Sequence, residues 1–316
     1  MKTILVTGGT GFVGRTLIPL LVARGYAVRL AVRQPSEVFP DAVVVGEVSP
    51  DTDWRAALSG VDAVIHMAAR VHVMTETETD PLSAFREVNR DGTLALARAA
   101  RDAGISRLVF LSSVKAAAER SGDLPLAEDM LAHPETPYGQ SKREAEEGLL
   151  SLSGISSVIL RPPLVYGPGV KGNFRTLMQV IRKGIPLPLG SVHNRRSLVY
   201  VGNLAAAVLA AVEQPDIPSG IYHVCDGLAL STTELLGRVA DAMGCKARIF
   251  RFSPWLLEQV ARLARRHDLW EKVCGNLEVD DTLFRQRTGW KPPFSVEEGL
   301  ALTTEWFEAF AEGRTE

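Results

Sequence analysis

Tyr138 and Lys142, in the stretch TPYGQSKREAEE (residues 136–147), stand four positions apart at the opening of a polar, helix-favouring segment. Residues at that spacing share one helix face, a single turn apart. A phenol ordinarily titrates near about 10, and a neighbouring ammonium stabilises the phenolate and lowers that value towards the working pH. The pair is therefore a candidate general acid or base together with the charge that tunes it. Chance also produces such a spacing, so its weight rests on what the remaining chain supplies.

A second chemical motif follows the first apolar run. In TGGTGFVG, Gly8, Gly11 and Gly14 have the spacing of a dinucleotide fingerprint. Between a strand and a helix, such glycines permit a tight turn, close approach to a pyrophosphate and close helix packing, with the helix N-terminus facing the anion. Further on, VRLAVRQP ends an apolar run on Val32, where an NAD-selective site of this kind carries a carboxylate for the ribose 2′-hydroxyl. The next residue, Arg33, can pair with a 2′-phosphate through two parallel hydrogen bonds. NADP(H) is thus the expected cofactor and NAD(H) the second option.

These residues need a frame. TILVTG, AVRLAV, AVVVG, DAVIHMA, RLVFLSS and SVILRPP read as six strands with helical patterns between most of them. Continuous apolar runs separated by helices suit a parallel sheet covered on both faces, which is a doubly wound α/β Rossmann domain. We place it at residues 1–165. From there the pattern loosens through YGPGVKGNF and GIPLPLGSVHNRRS into isolated helices and short strands. Residues 166–316 read as a smaller, less regular substrate domain, with a segment near 195–215 returning to the first. The segment PWLLEQVARLARRHDLWEKV is basic and amphipathic; an ordinary packed helix is the expected reading, and a helix lying on a membrane the alternative.

Composition excludes several classes. With 46% hydrophobic and 23% charged residues, the 316-residue chain can bury a sizeable core and has the profile of a globular protein. A formal net charge of −2 and scattered basic residues argue against a nucleic-acid partner. Cys225, Cys245 and Cys274 lack any paired metal spacing, so no metal is expected and a reducing, cytoplasmic setting fits. The apolar run in MKTILVTGG is too short for a signal peptide, and no uncharged apolar stretch reaches the ~18 residues of a membrane span.

Taken in order, Thr7-Gly8-x-x-Gly11-x-x-Gly14, DAVIHMAA, VNRDGT, the serine of FLSS and Tyr138-x-x-x-Lys142 resemble the extended short-chain dehydrogenase/reductase family, the group of nucleotide-sugar epimerases, dehydratases and reductases. The resemblance spans nearly the whole chain. It implies that Tyr138 is the catalytic acid or base, that Lys142 lowers its pKa and holds the nicotinamide ribose, and that Ser113, rather than Ser112, bonds the reacting oxygen. It also implies a cofactor site of Gly8, Gly11, Phe12, Val13 and Gly14, with Glu47 and Val48 beside the adenine and Ala68, Ala69 and Arg70 beneath the phosphates. Pro163 completes that set. Asn89 resembles the family's structural and proton-relay asparagine, although an asparagine before a helix equally serves as a cap. His66 reads as a packed core histidine rather than an acid.

For the substrate, the resemblance places Asn173 of GNF and Arg196 of NRRSLVYV against a nucleotide diphosphate, with Arg195 a solvated surface charge. Lys115 and His72 are candidates near the sugar, against the commoner outcome of solvated loop residues. Ser113 is followed by Val114 and Lys115 rather than the Asp-Glu pair of the 4,6-dehydratases. The epimerases' VYG after that serine and their Arg-Tyr-Phe-Asn run are replaced by AAA and RPPLVYG. The combination AARVHVM, SSVK, RPPLVYGPGVKGNF, PLPLG and NRRSLV is most similar to bacterial 4-keto reductases of UDP-2-acetamido-2,6-dideoxy-hexuloses, which act in surface-polysaccharide synthesis. The expected activity is therefore NADPH-dependent reduction of the C4 ketone of a UDP- or dTDP-linked sugar. A UDP-hexose 4-epimerase with tightly bound NAD is the alternative, and a non-catalytic dinucleotide-sensing regulator a second. A homodimer is the candidate assembly.

Overall fold

The computed structural model describes residues 1–71, 80–264 and 266–313. The six apolar runs become strands Thr3–Thr7 (β1), Ala27–Val32 (β2), Val43–Val44 (β3), Ala63–His66 (β4), Arg107–Leu111 (β5) and Ser156–Arg161 (β6). Helices Phe12–Ala23 (α1), Arg55–Leu58 (α2), Pro81–Arg86 (α3), Thr93–Asp102 (α4) and Pro137–Leu150 (α5) alternate with them. A single π-turn, Glu87–Gly92, joins α3 to α4 without a break. Beyond β6 come strands Leu164–Tyr166 (β7), Leu198–Tyr200 (β8) and Gly220–His223 (β9), and helices Gly172–Arg182 (α6), Val201–Glu213 (α7) and Thr232–Ala242 (α8). Pro254–Leu263 (α9), His267–Cys274 (α10), Thr282–Thr288 (α11) and Val296–Ala311 (α12) complete the order.

The main sheet is wholly parallel, in the order β3-β2-β1-β4-β5-β6-β9. The chain reverses direction across the sheet between β1 and β4, and the crevice at the carboxyl ends of those two strands is where a doubly wound sheet takes its ligand. Alternation along the strands fills both faces. Ile4, Val6, Val109 and Val158 pack with Leu17 and Leu21 of α1 and Leu204 and Val208 of α7. Leu5, Val64, Leu108 and Ile159 pack with Leu96 of α4 and Leu149 of α5. The seventh strand comes from 220–223, a four-residue run too short to stand out of its surroundings as sheet.

A third core, with Phe174 and Met178 of α6, Leu235 and Val239 of α8 and Leu300 and Phe307 of α12, surrounds the two-stranded β7–β8 ribbon. The basic amphipathic segment expected as one packed helix instead breaks into α9 and α10, and no residue of α9 is buried. Its apolar positions recur with helical period, as a packed helix requires, but Trp255, Leu256, Val260 and Leu263 stay exposed and only Leu257 and Ala261 are partly covered.

Candidate active site

The turn after β1 is held by contact as well as by conformation. Gly8 adopts φ 70°, and a Cβ there would stand 2.7 Å from the Ala68 amide nitrogen. At Gly14 a Cβ would lie 2.3 Å from the Gly9 carbonyl oxygen, so α1 closes on its own turn only with glycine at that position. No side chain caps the N-terminus of α1, where Gly11, Phe12 and Val13 begin the helix, and its amides face the crevice region as an anion site would require. Thr7 Oγ1 accepts from the amides of Met67 and Ala68, each at 3.2 Å, which draws the loop of Ala68, Ala69 and Arg70 under that turn.

With its lone pairs so used, the Thr7 hydroxyl donates to His66 Nδ1 at 2.7 Å, and His66 Nε2–H then donates to Thr93 Oγ1 at 2.9 Å. His66 is a neutral core histidine, its pKa pushed down to about 3 by burial and then by the Lys142 charge.

Asn89 lies within the π-turn, inside a continuous helix, so the capping alternative does not hold; Asp80 caps α3 instead. The Asn89 carboxamide meets both backbone groups of one residue: Oδ1 accepts from the Arg70 amide at 2.8 Å, and Nδ2 donates to the Arg70 carbonyl at 3.0 Å. Nδ2 also donates to Ser141 Oγ at 3.0 Å, and Ser141 Oγ donates to the Tyr138 carbonyl at 2.8 Å. One buried amide thus joins the loop beneath the glycine turn to the helix carrying Tyr138.

Helix α5 starts with Pro137 at its first position and Thr136 as cap, Thr136 Oγ1 accepting from the Gly139 amide at 3.2 Å. That start puts Tyr138 in the first turn. Ser113 lies two residues past the end of β5 and accepts from the Lys115 amide at 3.2 Å. Burial pushes Tyr138 up to about 12; the Ser113 hydroxyl opposes this, and Glu119 and Glu146 add to it.

The expected lowering of the phenol pKa by Lys142 is not what the geometry gives. Lys142 Nζ donates to the Leu111 carbonyl at 2.8 Å and sits 4.1 Å from the centre of the Phe110 ring. Burial pushes Lys142 down to about 7, with Glu146 pulling the other way. The spacing puts both groups on one face, but desolvation outweighs their mutual effect.

Ser112 donates to Glu146 at 2.6 Å, and of the two serines it is Ser113 that acts on the Tyr138 phenol. Pro163 is buried just after β6, where the preceding Pro162 carbonyl accepts from the Val114 amide at 3.0 Å. Glu146 and Arg161 form a buried ion pair behind Lys142 that the sequence reading missed. The signal was present, since Tyr138, Lys142 and Glu146 recur at i, i+4 and i+8. Glu119 was also missed. It accepts from Thr136 Oγ1 at 3.0 Å, pairs with Lys115 at 2.8 Å, and acts electrostatically on both Tyr138 and Arg196. Lys115 is therefore ion-paired rather than simply solvated, and His72 lies outside the described residues.

At the end of β2, Val32 is buried and Arg33 pairs with Glu47 at 3.2 Å, with 71% and 73% of the two side chains exposed. Val48 is buried in the second core, against the Gly92 backbone. Asn173 is exposed in the first turn of α6. Arg196 is largely withdrawn from solvent, Nη1 donating to the Gly275 carbonyl at 2.9 Å. Arg195, expected as a solvated surface charge, is exposed, with 64% of its side chain open to solvent, and its guanidinium also forks onto Glu278 with two bonds of 2.5 Å. No group of three or more metal-ligating side chains occurs among the described residues, and no described helix is long and apolar enough to cross a membrane.

Residues 4–225 match the family described as NAD dependent epimerase/dehydratase. Over 315 residues the chain is 38% identical to a UDP-glucose 4-epimerase of Vibrio cholerae, with 97% of this chain and 95% of that one covered. Its fold is similar to that of WbmG from Bordetella bronchiseptica in complex with NAD and UDP (TM-score 0.75, 21% identity, 99% of this chain and 96% of that chain). It is likewise similar to RMD from Pseudomonas aeruginosa complexed with NADPH (TM-score 0.75, 24% identity, 97% of this chain and 100% of that chain). At those identities the two structures speak for the fold alone.

Proposed function

The chain belongs to the NAD dependent epimerase/dehydratase family, and from that premise we propose that it reduces the C4 ketone of a nucleotide-linked 4-keto-6-deoxy hexose at the expense of NADPH. The observation that carries this reading is the Tyr138 phenol in the first turn of α5, where the Ser113 hydroxyl acts on it, one turn before buried Lys142. A dihydronicotinamide, when bound, supplies the hydride. The residues fit such a cofactor: the cradle at Gly8 and Gly14 has no room for a Cβ, and the uncapped α1 amides suit its pyrophosphate. Arg33 at the end of β2 and Glu47 paired with it are the residues assigned to the adenosine ribose and adenine, and Val32 puts no carboxylate against a 2′-phosphate.

The chain's own part is to hold the ketone and give it a proton. Ser113 orients the carbonyl oxygen, and Tyr138, kept neutral by burial, donates its proton as C4 becomes an alcohol carbon. Lys142 holds the nicotinamide ribose. Asn173 and Arg196 take the substrate diphosphate, with UDP favoured over dTDP by the name of the Vibrio cholerae relative. Binding energy from that distant group positions the reacting carbon.

A UDP-hexose 4-epimerase is a second reading, favoured by the 38% identity to the Vibrio cholerae enzyme over nearly both whole chains. Incubation with a UDP-linked 4-keto-6-deoxy sugar decides between them. The first reading expects one NADPH oxidised per alcohol formed. Interconversion of UDP-glucose and UDP-galactose without net NADPH change would establish the second, and neither activity would defeat both.

A further inference from the structure

Helix α9 presents an uncovered apolar face. Leu256, Val260 and Leu263 recur at i, i+4 and i+7 and are 44%, 60% and 86% exposed, with Trp255 beside them at 64%. Phe250 and Phe252 on the preceding segment add two more exposed rings. The patch continues into an apolar groove between Pro188 and Leu189 on one side and Leu257 and Trp270 on the other. A contiguous apolar surface of this kind marks an interaction site.

Charge indicates what covers it. From Lys246 to Val273, seven lysines and arginines stand against three acidic residues, in a chain whose formal net charge is −2. Two of those acids already hold arginines, Glu258 with Arg262 at 2.6 Å and Glu271 with Arg120 at 2.5 Å. A helix with tryptophan and leucine exposed and arginines around it has the form of an interfacial helix, whose rings enter the acyl boundary while its cations meet lipid phosphates. With ten residues it is far too short to span.

We propose that α9, with Phe250 and Phe252, docks the protein on the surface of a bilayer that contains anionic lipid. The face adjoins the candidate substrate region through α10. The Val273 and Gly275 carbonyls at the end of that helix accept from Asn194 at 3.3 and 3.0 Å, and Gly275 also accepts from Arg196 at 2.9 Å. Docking would therefore set the Arg196 segment close to the membrane.

The test is co-sedimentation of the full chain with vesicles of phosphatidylcholine alone and of phosphatidylcholine mixed with an equal part of phosphatidylglycerol. Binding is expected to the mixed vesicles and to weaken with added salt. Trp255→Ser with Leu263→Ser should reduce it by roughly tenfold or more, the scale of removing two inserted apolar side chains. Arg251→Glu should weaken binding to the mixed vesicles only. Because Trp255, Leu263 and Arg251 are exposed, circular dichroism melting should be unchanged in these variants. Absence of binding, binding unaffected by the paired substitution, or a dimer in analytical ultracentrifugation that the same substitution dissociates while vesicles are ignored would each overturn the proposal.

Discussion

The Glu146 carboxylate takes both arms of the Arg161 guanidinium, Nε to Oε1 at 2.9 Å and Nη2 to Oε2 at 2.5 Å, with neither side chain open to solvent. Ser112 adds a third bond, donating to Oε1 at 2.6 Å. The pair ties α5 to β6 while Ser112 ties it to the end of β5. It thereby fixes the height of Tyr138 and Lys142, two turns and one turn before Glu146, against Ser113. Replacing Glu146 by Leu should cost about 3–5 kcal/mol in urea unfolding, because Arg161 is left as an uncompensated buried charge. Adding Arg161→Met should restore most of that loss. A single Glu146→Leu change within about 1 kcal/mol of the parent would deny the pair this role.

Tyr138→Phe should lower turnover by about 10²- to 10⁴-fold, the usual range for one general acid, and leave cofactor affinity intact. Near-normal turnover in that variant would refute the proposed chemistry.

Lys142 should behave differently, since its proposed task is to grip the cofactor. With its pKa pushed down to about 7, the ammonium is lost as pH rises through neutrality, so dinucleotide affinity should weaken between about pH 6 and 9. Tyr138, raised to about 12, stays protonated over that range and contributes no such dependence. Lys142→Met should bind more weakly and flatten the profile in fluorescence titrations. A pH-independent affinity in the parent protein would remove the basis for the assignment.

Arg33 bears on cofactor choice. Its pairing with Glu47 is mostly exposed and so contributes only about 0–1 kcal/mol, little resistance to a 2′-phosphate that competes for the guanidinium. Charged hydrogen bonds contribute about 1.5–3 kcal/mol, so Arg33→Ala should weaken NADPH by roughly 10- to 150-fold and leave NADH nearly unchanged. Glu47→Gln should modestly strengthen NADPH. Equal losses for both cofactors would make Arg33 a support for the loop, and a parent preference for NADH would end the argument.

Acid should destabilise the protein through its buried histidines. His66 is pushed down to about 3 and His223 to about 4, both first by burial. An unfolded histidine titrates near about 6.5, so below that pH the unfolded chain binds protons that the folded chain refuses. The stability present above pH ~6.5 is therefore lost as pH falls towards the folded values, by about 1.4 kcal/mol per pH unit for each histidine. Urea midpoints from pH 7 to pH 4 should show that slope, and His66→Gln should reduce it by one proton's worth. A flat profile would mean that these rings take up protons in the folded state.

What the sequence determined was what neighbouring residues determine. The glycine turn at Gly8 to Gly14, the strand runs and the common helix face of Tyr138 and Lys142 follow from steric freedom, alternation and helical period, all set within a few positions along the chain. Tertiary structure decided whatever depends on residues distant in the chain. His66 is neutral because the fold buries it near the Lys142 charge, with Thr7 and Thr93 meeting its two nitrogens, and Asn89 is a link rather than a cap because Arg70 and Ser141 lie across from it. The direction of the Tyr138 shift reversed because desolvation sums over every surrounding atom, whereas helix spacing reports one neighbour. The amphipathic pattern of α9 specified an apolar face by its period, but whether that face is covered depends on what the rest of the fold brings against it, and there the described fold leaves Leu256, Val260 and Leu263 exposed.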